Sequence, residues 1–296
     1  MSKSKPQSKR RTSRAASVAE MFRPSRGSVM GYRHFRTGTN NQDAEEARPI
    51  GNYFAAMLSD GISTHEDRKK MFSEFGARAI VNIGLRSLAS VMEKHGGSAV
   101  KTVLNKMLRQ TALEVIALVQ RFAHTKEMAP REMSDFLEHH FGATMVGVII
   151  GPRKTHIFWL GDGLYAVNEK VVRFGRDTMN HPANIVHVAW DLLVHGDTKI
   201  RFGVHSIDTS EIDTLFIGTD GMDSWFDTCK NGKIRKPVKN LLTLVKKCGG
   251  DGSSVLHGLN YNQLSRSQME TSLLFGDDAT YFGVLRNRPK KPRTKT

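Results

Sequence analysis

The feature that most constrains this chain is an apolar run that ends in a carboxylate. From Ala55 the sequence reads Ala-Ala-Met-Leu-Ser-Asp-Gly. An apolar run of this length bounded by a turn signal is a buried strand. Asp60 then stands at the strand's end, and Gly61 turns the chain away. The pattern recurs at Phe158-Trp159-Leu160-Gly161-Asp162-Gly163 and at Leu215-Phe216-Ile217-Gly218-Thr219-Asp220-Gly221. Asp43, in Asn41-Gln42-Asp43, and Asp277-Asp278, after Phe275-Gly276, add carboxylates in similar settings. A chain with such strands is built to gather aspartates around metal ions.

The remaining segments fill in around these strands. Tyr53 to Leu58 is the strand that delivers Asp60. Helical periodicity runs from about Phe72 to Lys94, and again from about Ala99 to Phe122 after the stop at His95-Gly96-Gly97. Two long helices in succession predict an antiparallel pair lying on a sheet. Residues 123–141 read as a connection with helical character near Met133 to His140. A strand series follows: Ala143 to Ile150, Thr155 to Leu160, Leu164 to Val167 and Val171 to Phe174, joined by hairpin turns. Residues 175–212 show no clean period. Asp213 to Thr219 is a strand, Ser224 to Thr228 a helical turn, and Val238 to Lys246 and Ser253 to Met269 are helices. Ala279 to Leu285 alternates as a closing strand. Hairpins without crossover helices exclude a doubly wound parallel sheet. The expectation is an antiparallel sheet or sandwich with flanking helices, of α+β class.

Carboxylates alone point to hard divalent cations, which take oxygen ligands and keep several waters. Two such ions a few ångströms apart can bind a shared hydroxide, lower its pKa and clamp a phosphoryl group for in-line attack. A single Asp-Gly is usually no more than a turn; three, each after an apolar strand, ask for more. No phosphate-binding Gly-rich Lys-Ser/Thr loop, dinucleotide fingerprint or Gly-x-Ser-x-Gly elbow is present. The two cysteines, Cys229 and Cys248, lack metal-type spacing, so a thiolate zinc site is excluded. His139-His140 fits a helix end more simply than a ligand pair.

The net charge of +15 sits almost wholly at the ends. Residues 1–26 hold eight Lys and Arg against Glu20 alone, and residues 286–296 hold six with no acid, so the tails carry +13. The body between is near neutral, which a DNA-binding domain would not be. The simplest reading is solvated, disordered ends over residues 1–27 and 287–296, with one folded domain over 28–286. The functional alternative is a tether to nucleic acid, acidic lipid or an acidic partner. No apolar run approaches the roughly 20 residues of a membrane helix, and a signal-peptide core is missing. A cytoplasmic monomer is the expectation.

Six segments in order, Asn41-Gln42-Asp43, Ser59-Asp60-Gly61, Gly142-Ala143-Thr144, Leu160-Gly161-Asp162-Gly163, Gly218-Thr219-Asp220-Gly221 and Gly276-Asp277-Asp278-Ala279-Thr280, resemble the metal-dependent protein phosphatases of type 2C. Ser73-Glu74-Phe75-Gly76-Ala77-Arg78 resembles a segment of their bacterial branch. The likeness covers about residues 28–286. It implies a sandwich of two antiparallel β-sheets flanked by pairs of antiparallel helices. It also implies hydrolysis of phosphoserine and phosphothreonine in a phosphorylated protein substrate, with two Mg2+ or Mn2+ ions. By position, Asp60 would bridge both metals and Gly61 would offer its carbonyl. Asp220 and Asp277 would complete the second metal's shell, the family pattern favouring Asp277 over Asp278. Asp43 would hold metal-bound waters, and Asp162 would join Asp220 around a third, weaker ion.

The chain departs from that pattern at three places. Gln42 stands where many members carry an acid. Gly38 occupies the usual place of the phosphate-binding arginine, so Arg36 or Arg33 must reach in. Ile62 follows Asp60-Gly61 where many members have a histidine, which leaves His65 or solvent as the general acid. These departures motivate the alternative of a non-catalytic phosphatase-fold module that binds a phosphoprotein or acidic partner. The intact set of aspartates favours the enzyme.

Overall fold

The computed structural model describes residues 17–37, 40–61, 73–95, 98–126, 128–175, 183–226, 238–261, 275 and 277–287. Their strands form two antiparallel five-stranded sheets. One runs β1 (Phe22–Val29), β10 (Ala279–Arg286), β9 (Thr214–Gly218), β6 (Gly163–Val167), β7 (Lys170–Phe174). The other runs β2 (Asp43–Ile50), β3 (Tyr53–Asp60), β4 (Met145–Ile150), β5 (Lys154–Leu160), β8 (Gly203–Asp208). Helices cover both outer faces, so the expected two-sheet sandwich is what forms.

The layering follows from strand alternation. Ala56 and Leu58 of β3 face the other sheet, where they meet Val146 and Val148 of β4 and Ile217, Phe282 and Val284. Ala55 and Met57 face the opposite way, under the helices α3 (Ser73–His95), α4 (Val100–Lys126), α5 (Pro130–Phe141) and α6 (Ile185–His195). Both faces of β3 are therefore buried, and this is why its sequence is a continuous apolar run rather than an alternating one. On the far side, Phe216 and Tyr281 pack beneath α7 (Val238–Lys247) and α8 (Gly252–Tyr261) through Leu241, Leu242 and Leu256. The β6–β7 hairpin turns on Asn168 and Glu169, both with positive φ (48° and 71°), the primed turn that two-residue hairpins favour.

Three expectations need correction. Residues 1–27 were assigned to a disordered tail, but a short helix, α1 (Val18–Met21), and the whole of β1 lie inside the fold. Phe22 pairs with Arg286 and Val29 with Ala279, and Val18 and Phe22 are buried between the sheets. Arg23 and Arg26 point outward from this strand, so its charge disguised its burial. Pro24 is tolerated because β1 is an edge strand. Residues 175–212, read as patternless, contain α6 and β8. α6 has an Asn184 N-cap and a left-handed Gly196 C-cap, yet it is apolar nearly all round, and a helix without a polar face has no period to detect. The last predicted helix, Ser253 to Met269, is α8 as far as Tyr261; residues 262–270 lie outside the described residues.

Gly76 explains the segment Ser73 to Arg78. A Cβ there would lie 1.7 Å from the His140 carbonyl oxygen at the end of α5. The glycine lets α3 and α5 touch backbone to backbone. Gly76→Ala is expected to destabilise the protein by about 1–3 kcal/mol through overpacking, a fall in melting temperature of roughly 3–10 °C in a thermal denaturation scan.

Candidate metal centre

The six aspartates meet where strands of both sheets end. Asp43 opens β2 and Asp60 closes β3, and the two are direct cross-strand partners. Side chains directly opposite on neighbouring strands stand about 5 Å apart at Cβ. Asp162 lies in the turn between β5 and β6, Asp220 follows β9 in a 3-10 helix (Asp220–Phe226), and Asp277 and Asp278 precede β10. The groups sort into two tiers. Asp60, Asp162, Asp220 and Asp277 keep a face open to solvent, whereas Asp43 and Asp278 are buried at 4% and 3% exposure.

The buried tier is held by a dense set of hydrogen bonds. Asp278 accepts the Gly31 N–H on Oδ1 (2.7 Å), and the Gln42 N–H (2.6 Å) and His34 Nδ1 (2.8 Å) on Oδ2. His34 belongs to α2 (Tyr32–Thr37), so this one carboxylate joins α2, the Asn41–Asp43 segment and the approach to β10. Asn41 accepts the Asp43 N–H (2.9 Å) and donates to Ser28 (2.7 Å). Thr219 accepts the Thr280 N–H (3.0 Å) and donates to Asp43 Oδ2 (2.8 Å). Gly61 N–H donates to the Gln42 carbonyl (3.2 Å), and Asp60 N–H to Thr144 Oγ1 (3.2 Å). Gly221 lies against Asp278, where a Cβ would come 1.8 Å from the Asp278 carbonyl oxygen.

This crowding makes the fully ionised cluster unstable by itself. Two carboxylates about 4 Å apart repel by about 4 kcal/mol at an effective dielectric of about 20, several times the worth of one neutral hydrogen bond. Burial, then the charge of Asp278, pushes Asp43 up to about 8 against the help of Thr219. Burial, then Asp43 and Asp220, holds Asp60 well above the usual carboxylate range. Burial, then Asp162 and Asp277, pushes Asp220 up to about 6. The hydrogen bond to Asp278 raises His34, so its imidazolium is one internal counter-charge, too few for six acids.

The residues fit divalent cations. Asp43 Oδ1 is buried with no hydrogen-bond donor. A proton held on Asp60 or a cation would satisfy it. The rim offers only carboxylate oxygens, the donors that Mg2+ and Mn2+ take. As they stand, no three of these groups among the described residues already converge on one point. They form instead a chain in which Asp60 reaches both Asp43 and Asp220.

All the expected aspartates are therefore at one place, with Asp278 as an added strut. Both Asp278 oxygens are occupied by protein donors, and Asp277 is the neighbour that keeps a solvent face. Arg36 is exposed on α2, its guanidinium 5.7 Å from the centre of the Tyr32 ring. His65, with the loop from Ile62 to Lys70, lies outside the described residues. His139 and His140 end α5, away from this set. Sequence reading missed His34 and the roles of Asn41, Thr144, Thr219 and Asp278. The doubled Asp277-Asp278 was the available signal, since one of two adjacent acids at a strand start must point inward.

Fold and site together define a protein that presents a carboxylate cation site at the edge of a four-layer sandwich. The family model described as Protein phosphatase 2C matches residues 30–257, and the chain belongs to that family of phosphoprotein phosphatases. Solved structures of the same fold include the serine/threonine phosphatase Stp1 from Staphylococcus aureus, at 15% identity and TM-score 0.52, covering 93% of this chain and 99% of that one. The catalytic domain of the serine threonine protein phosphatase PstP, in complex with two manganese ions, aligns at 13% identity and TM-score 0.52, covering 90% and 99%. A C. elegans sex determining protein aligns at 16% identity and TM-score 0.51, covering 91% and 65%. Among curated proteins, none matches this chain.

The raised aspartates carry a sign. A carboxyl whose folded pKa exceeds its unfolded value of about 3.9 stabilises the fold only while it keeps its proton. Metal-chelated protein is therefore expected to lose stability as pH rises from about 4 through about 6 and about 8, where Asp220 and Asp43 ionise. Asp60→Asn removes one crowding charge. It is expected to raise the chelated protein's melting temperature at pH 8, by about 1–3 kcal/mol in stability, and to have little effect at pH 4. Thermal scans of both proteins in a chelator across that range check it.

Proposed function

We propose that this chain removes phosphate from phosphoserine and phosphothreonine in proteins, working with two Mn2+ or Mg2+ ions and a weaker third. The observation that carries the reading is the Asp43–Asp60 cross-strand pair, with its donorless buried oxygen, set beside Asp220 and Asp277. When bound, such ions supply an activated water and a clamp on the phosphoryl oxygens.

The chain's own residues have separable parts. Asp60, at the centre of the acidic chain, would touch both ions, with the Gly61 carbonyl beside it. Asp220 and Asp277 would close one side, Asp162 would serve the third ion with Asp220, and Asp43 would order water from beneath. Arg36 supplies an exposed cation on α2, the helix that His34 and the Gly31 N–H pin to Asp278, and so can meet the phosphate's charge. His65 is the side-chain candidate for protonating the leaving oxygen.

Purified protein with millimolar manganese is expected to hydrolyse p-nitrophenyl phosphate and a phosphothreonine peptide. Asp60→Asn and Asp220→Asn should bring the rate down to that of metal in buffer. Calorimetric manganese binding without turnover on either substrate would replace the enzyme by a phosphatase-fold binding module, the reading that Gln42, Gly38 and Ile62 motivate. His34→Ala should weaken manganese binding in the same titration by about 10–100-fold, the usual cost of removing a partner that orients a ligand set.

A further inference from the structure

The two basic ends of the chain, about 270 residues apart in sequence, leave the fold at one point. β1 and β10 are antiparallel neighbours, with Phe22 opposite Arg286. Beyond them, the Asn287 N–H donates to the Met21 carbonyl (2.8 Å) and its side-chain amide to the Glu20 carbonyl (3.1 Å). Ser17, one turn of α1 away, accepts the Glu20 and Met21 N–H groups on its carbonyl (both 3.0 Å). Arg286 pins this corner: its guanidinium donates to the Ile212 and Thr209 carbonyls and stacks 4.7 Å from the Phe22 ring centre. The roots of the two tails are thus within about 10 Å of each other, by the rise of a single helical turn.

What departs from that corner is one-sided in charge. Residues 1–16 contain six Lys and Arg and residues 288–296 contain five, eleven in all, with no Asp or Glu. The sequence splits this charge between two ends, and the fold reunites it. Glu20, Glu211 and Asp213 lie near the roots, too few to cancel eleven cations.

We infer that the two tails form one docking site for the phosphate backbone of nucleic acid. Five of the eleven cations are arginines, which grip phosphate bidentately. Neither segment contains a Val, Leu, Ile, Phe, Tyr or Trp. An apolar face or an acyl chain is what holds a basic segment firmly on a bilayer, so a lipid surface is the poorer partner. The same lack of aromatics removes base stacking, so recognition is of phosphate and independent of base sequence. Tails rooted together act bivalently, each raising the effective concentration of the other on one ligand. A nine-residue segment spans at most roughly 30 Å, and a 12-base-pair duplex is about 40 Å long, so both tails reach one short duplex only because their roots coincide.

The test uses the full chain and a fluorescein-labelled 12-base-pair DNA duplex, followed by anisotropy. Affinity is expected to fall about 1000-fold or more between 50 and 200 mM salt. Deleting residues 1–16 or residues 288–296 should each weaken binding more than tenfold, and deleting both should abolish it. Charge-neutral variants in the intact chain, R10Q/R11Q/R14Q and K290Q/K291Q/R293Q, should reproduce each loss with an unchanged melting temperature. The inference is overturned if the duplex does not bind at 50 mM salt, or if one tail carries the whole effect. It is overturned equally if phosphatidylserine vesicles or a polyglutamate peptide bind more tightly than the duplex. Hydrolysis of p-nitrophenyl phosphate by the deletion variants is a separate readout, so failure here and failure of the phosphatase reading are distinguishable.

Discussion

The structure turns on two like charges set face to face. Asp43 and Asp60 are paired residues on neighbouring strands, an arrangement that destabilises a sheet unless something of opposite sign is placed between them. Burial sharpens the conflict, because it removes the water that would screen them. The protein answers with one imidazolium, one threonine hydroxyl and several backbone N–H groups. These donors position the carboxylates without neutralising them. A region that keeps such a deficit is organised for a cation from outside, and the four solvent-facing aspartates mark where it enters.

Asp278 makes that arrangement rigid. It lies beneath the rim and accepts donors from two earlier segments of the chain, Gly31 with His34 and then Gln42. The adjacent Asp277 receives the Asp278 N–H on Oδ1 (3.0 Å) and faces outward. Two neighbouring residues of one type thus have opposite duties, one structural and one exposed. Buried carboxylates need their acceptors filled, and neighbouring residues in extended chain point in opposite directions. The sandwich core supports the same corner from below, since the strands carrying Asp60, Asp220 and Asp278 share Leu58, Ile217 and Phe282 in one apolar layer.

Much of this was legible beforehand. The buried strands, the long helices α3 and α4 and the ordered aspartates follow from periodicity and from the rule that a charge ends an apolar run. What escaped did so for identifiable reasons. β1 was hidden by Arg23 and Arg26, which point to solvent from a strand whose other residues are inside. α6 was hidden by excess apolarity, with Trp190, Leu193 and Val194 exposed on its outer side. His34 was invisible because nothing local marks it; its partner lies 244 residues further along.

The sequence by itself determined which residues carry charge to the strand ends and which cations those oxygens suit, because both depend on local pattern and on side-chain chemistry. Only the tertiary structure decided that Asp43 faces Asp60, that Asp278 is a strut while Asp277 is open, and that two distant basic tails share one root. Each of those depends on strand register and on which chain ends lie side by side, and long-range pairing of that kind leaves no trace in any short stretch of residues.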